Sequence, residues 1–181
     1  MDLNGVTAIS KMNQVTLGGG IIEKETSTDI NAPKIHSKVL LGDKFGQIHL
    51  LDVSRKLILD KLQIQSLSGR KIISISTASI EWIDTRLTYA AVVTRGSPFV
   101  HVICFKHNQN KMFHLYSLNT CPDLENPNQL ELNPKQSYME LPATTKLSLD
   151  AHFLSVTSHD GRIRVFKMPP VFEPITNIVT S

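Results

Sequence analysis

Ser158, His159 and Asp160 place the three side-chain types of a hydrolase triad in one short segment. A working triad needs its nucleophile, base and orienting carboxylate in one line, and adjacent residues of a turn project apart. The sequence also lacks the Gly-x-Ser-x-Gly elbow that exposes a nucleophilic serine. We therefore predict that the segment is a turn leading into Gly161, and we predict no catalytic residue and no enzyme.

Seven histidines raise the question of a metal centre. His49 and His101 occupy the same position of two similar segments, and Arg164 occupies it in a third. Equivalent positions in separate segments do not converge on one ion, and no His-x-x-x-His or Cys-x-x-Cys spacing occurs. The three glycines at 18–20 lack the Gly-Lys-Ser/Thr ending of a phosphate-binding loop. Neither a metal nor a cofactor is predicted.

The cysteines and charges narrow the classes of partner. Cys104 stands in an apolar run and is expected to be buried, whereas Cys121 precedes Pro122 in a polar stretch and is expected to be exposed. Two such cysteines make a poor disulfide framework. Lys and Arg number 19 against 16 Asp and Glu, and no basic cluster stands out, so no nucleic-acid partner is predicted.

Targeting signals are not visible in the sequence. The first residues lack the basic and apolar regions of a signal peptide, and no apolar run approaches the roughly 18 residues of a membrane span. The sequence therefore predicts a soluble intracellular protein. We expect it in the cytoplasm, with a ciliary or cytoskeletal assembly as the alternative.

Turn-forming residues recur along the chain, and short runs rich in β-branched and aromatic residues lie between them. Many short strands indicate an all-β sandwich, barrel or propeller. Residues 56–65 fit a helix about as well as a strand. The predicted strands cover residues 38–42, 47–53, 57–64, 71–84, 88–94, 99–106, 112–118, 145–149, 153–157 and 162–168.

One unit repeats along the chain. Gly46-Gln-Ile-His-Leu-Leu-Asp aligns without gaps over Gly161-Arg-Ile-Arg-Val-Phe-Lys, and a looser copy places Val100 opposite Ile48 and Ile163. The resulting periods are 52 and 63 residues. Residues 119–143, with prolines among Asn, Glu and Gln, are predicted to be a loop insertion that lengthens the second period.

The segment Ser158-His-Asp-Gly-Arg-Ile-Arg-Val-Phe resembles the third strand of WD repeats, although Phe166 stands where that family prefers Trp. The resemblance implies a partial β-propeller of about three blades, each a four-stranded antiparallel sheet. It also implies that Ile163 and Val165 face one neighbouring blade and Phe166 the other. The expected divisions are an N-terminal segment with a possible first strand (1–33), two blades (34–118), the loop insertion (119–143) and a further partial blade (144–181).

Closed propellers have four to eight blades, so three would leave sheet faces uncovered. We therefore expect a fragment or short isoform of a larger protein, or an arc that another chain completes. The expected function is a scaffold that binds protein partners. The alternative is an all-β hydrolase whose site is assembled from distant strands. A phosphoinositide-binding propeller is disfavoured, because the Arg-Arg pair that it would use is absent.

Overall fold

The chain folds almost entirely into β-strands. The computed structural model describes residues 5–11, 38–65, 69–82, 85–121 and 138–168, and within them residues 138–140 form a helical turn. The strands are β1 (Val6–Lys11), β2 (Lys38–Asp43), β3 (Gln47–Asp52), β4 (Leu57–Gln63), β5 (Ile72–Trp82), β6 (Thr85–Thr94), β7 (Phe99–Lys106), β8 (Lys111–Asn119), β9 (Pro142–Leu147), β10 (Phe153–Ser158) and β11 (Ile163–Lys167).

The strands form three antiparallel sheets. The first sheet has the order β1-β2-β3-β4, the middle sheet β5-β6-β7-β8, and the third sheet β9-β10-β11. Each strand pairs with its neighbour in the chain, as expected when short turns join antiparallel strands. The expected all-β class and the four-stranded antiparallel sheets are confirmed. The ambiguous segment 56–65 contains strand β4.

The turn between the second and third strands of each sheet has the same backbone device. Gly46, Gly96 and Gly161 have φ angles of 85°, 74° and 84° in the three turns. Glycine adopts this left-handed region without the steric cost that a Cβ atom brings. The three turns are therefore equivalent, in agreement with the repeat found in the sequence.

The middle sheet is packed on both faces, because successive side chains of a strand point to opposite sides. One face packs on the first sheet and the other on the third. The first strands of neighbouring sheets also lie together, since β5 contacts both β1 and β9. The core against the first sheet contains Leu40, Ile48, Leu50, Ile64, Ile72, Ala90, Val92, Ile103, Phe105 and Met112.

The core between the middle and third sheets is formed in the same way. Phe166 packs against it from the third sheet, as expected for the side of β11 that faces the neighbouring sheet. The buried members are Ala78, Leu87, Tyr89, Ala91, Val93, Val100, Val102, Cys104, Leu147, Ala151, Leu154, Val156 and Met168.

Gly42 marks the closest approach of the first and middle sheets. A Cβ atom built there would lie 2.5 Å from Cγ2 and 2.8 Å from Cβ of Ile72. Those distances are shorter than non-bonded carbon atoms tolerate. Glycine at this position is therefore required by packing, not by its backbone conformation.

The expectation that Cys121 is exposed is wrong. Its side chain is buried, and its thiol donates a hydrogen bond to the carbonyl oxygen of Glu140 at 3.2 Å. The polar sequence around Cys121 concealed this contact, because Glu140 follows 19 residues later, near the other end of the predicted loop. Cys104 is buried in the core, as expected.

Candidate functional site

The segment Ser158-His159-Asp160 forms a turn in which the three side chains do not line up. Ser158 Oγ donates to Asp160 Oδ1 at 2.6 Å, and the backbone N–H of Arg162 donates to the same oxygen at 3.1 Å. These hydrogen bonds lower the pKa of Asp160. The His159 ring stacks instead on Tyr138, with ring centroids 4.7 Å apart. The hydroxyl therefore bonds the carboxylate rather than the imidazole, which stabilises a turn and does not activate a nucleophile.

A serine lies between two histidines on the face of the middle sheet that packs toward the first sheet. Ser117 Oγ is 2.8 Å from His101 Nδ1 and 3.2 Å from His114 Nε2. His101 is only 2% exposed, and its Nε2 has no hydrogen-bond partner in the part of the chain that the structure describes. Burial lowers the pKa of His101 to about 4, with smaller contributions from His114 and Arg70. The His101 ring is therefore neutral at pH 7.

Among the described residues, this group holds two members of a nucleophilic triad and no third. A hydroxyl beside a neutral imidazole can transfer its proton to the ring, but an active triad also uses a carboxylate to orient the other ring nitrogen. In His101 that other nitrogen is the buried, unpartnered Nε2. Sequence reasoning missed the group because residues 101 and 117 meet only through the pairing of β7 with β8. Registering the two strands across their four-residue turn would have found it.

A second polar chain crosses the middle sheet. Ser79 Oγ lies 2.7 Å from Thr88 Oγ1, which lies 2.8 Å from His107 Nε2. Burial lowers the pKa of His107 to about 4, and the cations Lys38 and Arg86 lower it further. The chain links β5, β6 and the turn after β7, and a neutral imidazole satisfies the buried hydroxyls. Its arrangement is that of a structural brace.

Metal ligands do not converge among the described residues, where no three His, Cys, Asp or Glu side chains group to hold an ion. His49 pairs with Asp43, its Nε2 lying 3.2 Å from Oδ2. His101 lies on the middle sheet, on the side that corresponds to the side of His49 in the first sheet. The two histidines therefore belong to different sheets. The glycines at 18–20 fall outside the described residues.

The third sheet presents apolar side chains to the side away from the middle sheet, which we name the outer face. Ile163 and Val165 of β11 are 68% and 66% exposed, and Phe153 of β10 is 48% exposed. The register places Ile163 beside Thr157 and Val165 beside Ser155 on the same side. This is the side that the repeat predicts to face a neighbouring sheet, and no sheet of the described residues covers it.

Equivalent residues of the first two sheets are fully buried. Ile48 and Leu50 of β3 are 0% exposed against the middle sheet, and Val100 and Val102 of β7 are 0% exposed against the third. The far side of the first sheet differs, since Ile9 is exposed there while Leu41 and Leu51 are buried. Among the described residues, the outer side of the third sheet is therefore uncovered, and the far side of the first sheet is uncovered only in part.

The three strands of the third sheet carry a net positive charge. Strands β9, β10 and β11 contain Lys146, Arg164 and Lys167 and no Asp or Glu. Lys146 lies beside Ser155 and Lys167 beside Phe153, and both lysines are exposed. The face therefore combines an apolar outer strand with a cationic border. Such a surface suits a partner that carries apolar and acidic side chains.

The comparisons with known proteins name no relative. No family model matches the chain, and no curated protein matches it. Among solved structures, a complex of KlAtg21 with the coiled-coil of AgAtg16 aligns at 14% identity and a TM-score of 0.42, over 74% of this chain and 35% of that one. The computationally designed Ika4 protein aligns at 8% identity and a TM-score of 0.26, over 73% of this chain and 86% of its own. Because both TM-scores are below 0.5, we take neither fold nor function from these neighbours.

None of the described residues forms a helix long and apolar enough to cross a bilayer.

Proposed function

We propose that this chain is a protein–protein interaction scaffold, built as a partial β-propeller of the WD-repeat type. Three features support the architecture. Each sheet turns from its second to its third strand through a glycine with positive φ, the first strands of the sheets lie together, and equivalent side chains face the same way in each sheet. Sheets arranged in this way present faces and loops on a rigid frame.

The exposure of Ile163 and Val165 carries the functional proposal. The equivalent residues of the other two sheets are buried by the next sheet, whereas these two face solvent. Covering a pair of such side chains contributes about 3 kcal/mol. That free energy, at a surface bordered by lysines, favours the binding of another protein.

A co-purification experiment with the full chain tests the scaffold. Affinity-tagged wild type is compared with the double variant Ile163→Lys/Val165→Lys by quantitative mass spectrometry after in-cell crosslinking. The matched control is Val53→Lys/Leu57→Lys, which changes two exposed apolar residues near the β3–β4 turn. We expect specific partners to be lost from the first variant and kept by the control. Identical partner sets in all three samples would contradict the proposal.

The group formed by Ser117 and His101 favours a second candidate function, the all-β hydrolase. Its hydroxyl–imidazole distance of 2.8 Å is that of an activated serine. Ester hydrolysis by purified wild type and by Ser117→Ala decides between the two candidates. We expect equal background rates. Turnover that disappears in Ser117→Ala would favour the hydrolase.

The proposed compartment is the cytoplasm, with a ciliary or cytoskeletal assembly as the alternative. Cys104 is free and buried in the core. A free, buried cysteine agrees with a reducing compartment. Fluorescence microscopy of the tagged full chain, with and without a cytoskeletal extraction step, checks this assignment.

A further inference from the structure

Among the described residues, no strand pairs with the outer edge of β11, where the other two sheets have a fourth strand. In the first sheet β4 pairs with β3, and in the middle sheet β8 pairs with β7. In the described part of the chain the third sheet ends at β11. Within those residues, the third sheet has one strand fewer than each of its two counterparts.

The backbone of β11 points alternate hydrogen-bonding groups at this edge. Ser158 N–H donates to the Arg162 carbonyl oxygen at 2.9 Å, and Met168 N–H donates to the His152 carbonyl oxygen at 2.7 Å. Hydrogen-bonded pairs alternate along an antiparallel ladder. The residues that turn their backbone groups toward β10 are thus 162, 164, 166 and 168, and those that turn them to the outer edge are Ile163, Val165 and Lys167.

The corresponding residues of the other sheets face a fourth strand. Ile48 and Leu50 pair with Leu62 and Asp60 of β4. In the middle sheet, Val100 and Val102 pair with Leu118 and Tyr116 of β8. The outer edge of β11 therefore corresponds to a strand edge that pairs with a fourth strand in both of the other sheets.

The side chains of β11 define the partner that fits. Ile163 and Val165 lie on the outer face, and Arg164 alternates with them on the other side of the strand. Residues directly opposite on paired strands share a face, so a complementary strand carries apolar side chains opposite Ile163 and Val165 and an acidic one opposite Arg164. A second copy of β11 would add further cations to the same edge.

The polar residues of the outer face disfavour the packing of a whole partner sheet on it. Ser155 and Lys146 occupy the inner strands there, whereas the buried Leu40 and Ala91 occupy the position of Ser155 in the first two sheets. A stacked sheet would have to desolvate Lys146, which costs free energy even when the partner supplies a counter-ion. A strand added at the edge leaves Lys146 in water.

We propose that the outer edge of β11 accepts an extended strand of a partner protein that runs antiparallel to it and alternates apolar with acidic residues. Strand addition of this kind takes its affinity from backbone hydrogen bonds and its specificity from alternate side chains. The proposal rests on the scaffold function and names the site and the kind of partner.

The test uses the full chain and a fluorescein-labelled synthetic peptide of alternating valine and glutamate. Val165→Pro removes an outward N–H and leaves the β10–β11 hydrogen bonds in place, as proline at a strand edge allows. Val165→Thr, which keeps the N–H, is the matched control. We expect Val165→Pro to weaken binding by roughly tenfold or more and Val165→Thr to change it little. A peptide N-methylated along the edge that meets β11 is expected not to bind.

Backbone amide exchange supplies a second readout that does not depend on the variants. We expect the amides of Ile163, Val165 and Lys167 to exchange quickly in the isolated chain and to be protected by the peptide. Protection without peptide in the monomer would show that residues of the same chain hold the edge, and protection that rises with protein concentration would show a second copy. Either result overturns the proposal, as does equal binding by Val165→Pro.

The two proposals fail in different ways. If Ile163→Lys/Val165→Lys loses its partners in cells and Val165→Pro keeps them, the scaffold function stands and strand addition is wrong. If both variants keep every partner, the scaffold proposal itself is wrong.

Discussion

The middle and third sheets are built from equivalent strands and differ in what covers them. Val102 of β7 is buried between the middle and third sheets, whereas Val165, at the equivalent position of β11, is largely exposed. The residue type is the same, so the difference comes entirely from whether another sheet lies alongside. Burial in this fold is a property of the stack rather than of the individual strand.

The largest effect is expected from the same substitution at these two positions. Val102→Asp places a carboxylate in the core without a partner and should lower the free energy of unfolding by about 4 kcal/mol or more. Val165→Asp should change it by about 0.5 kcal/mol or less. Urea denaturation of both variants measures the contrast. Comparable losses would mean that Val165 is also part of the folded core.

The next effect concerns the contact between the first and middle sheets. Gly42→Ala drives a Cβ atom into Ile72 and should cost about 2 kcal/mol. Thr157 holds the equivalent position in the third sheet, and Thr157→Val should be nearly neutral because that side faces outward. The change in melting temperature on thermal unfolding compares Gly42→Ala with Thr157→Val. Adding Ile72→Ala to Gly42→Ala should make the two losses less than additive, and full additivity would contradict the contact.

The buried ring of His101 is expected to make the stability of the fold depend on pH. Burial lowers its pKa to about 4, below the value of about 6.5 in the unfolded chain, so the unfolded state binds more protons between these values. Stability should therefore be complete above pH 6.5 and fall as the pH drops toward 4, by about 2 kcal/mol at pH 5. Urea titrations of wild type and His101→Gln measure it. Equal slopes in both proteins would show that another group is responsible.

The smallest effect concerns a link between the outer strands of the first two sheets. Asp60 accepts hydrogen bonds from Met112 N–H at 2.8 Å and Lys111 Nζ at 3.1 Å. Burial opposes ionisation of Asp60, but these hydrogen bonds outweigh it and lower the pKa. Asp60→Asn should cost about 1 kcal/mol at pH 7. The loss should shrink as the pH falls below 3.8, since the ionised carboxylate stabilises the fold only above its folded pKa. A loss independent of pH would contradict the link.

The local sequence pattern predicted the positions of the strands well. It predicted poorly which side chains are buried and which residues they contact. Strand β7 lies at residues 99–106, as predicted, and the Asp-Gly turn before β11 follows from residues that are neighbours in sequence. The exposure of Cys121 was predicted wrongly, and the contact of Ser117 with His101 was not predicted at all. Both depend on partners that the fold brings from other segments of the chain.

The sequence by itself determined where the chain extends, where it turns and which side chains alternate, because these depend on propensities and a two-residue period over a few positions. Only the tertiary structure decided which of two equivalent apolar rows is buried. Ile48 and Ile163 occupy the same place in the repeat, and a neighbouring sheet covers the first and leaves the second in water. The free energy of burial is set by neighbours that lie far away along the chain, so no local pattern could assign it.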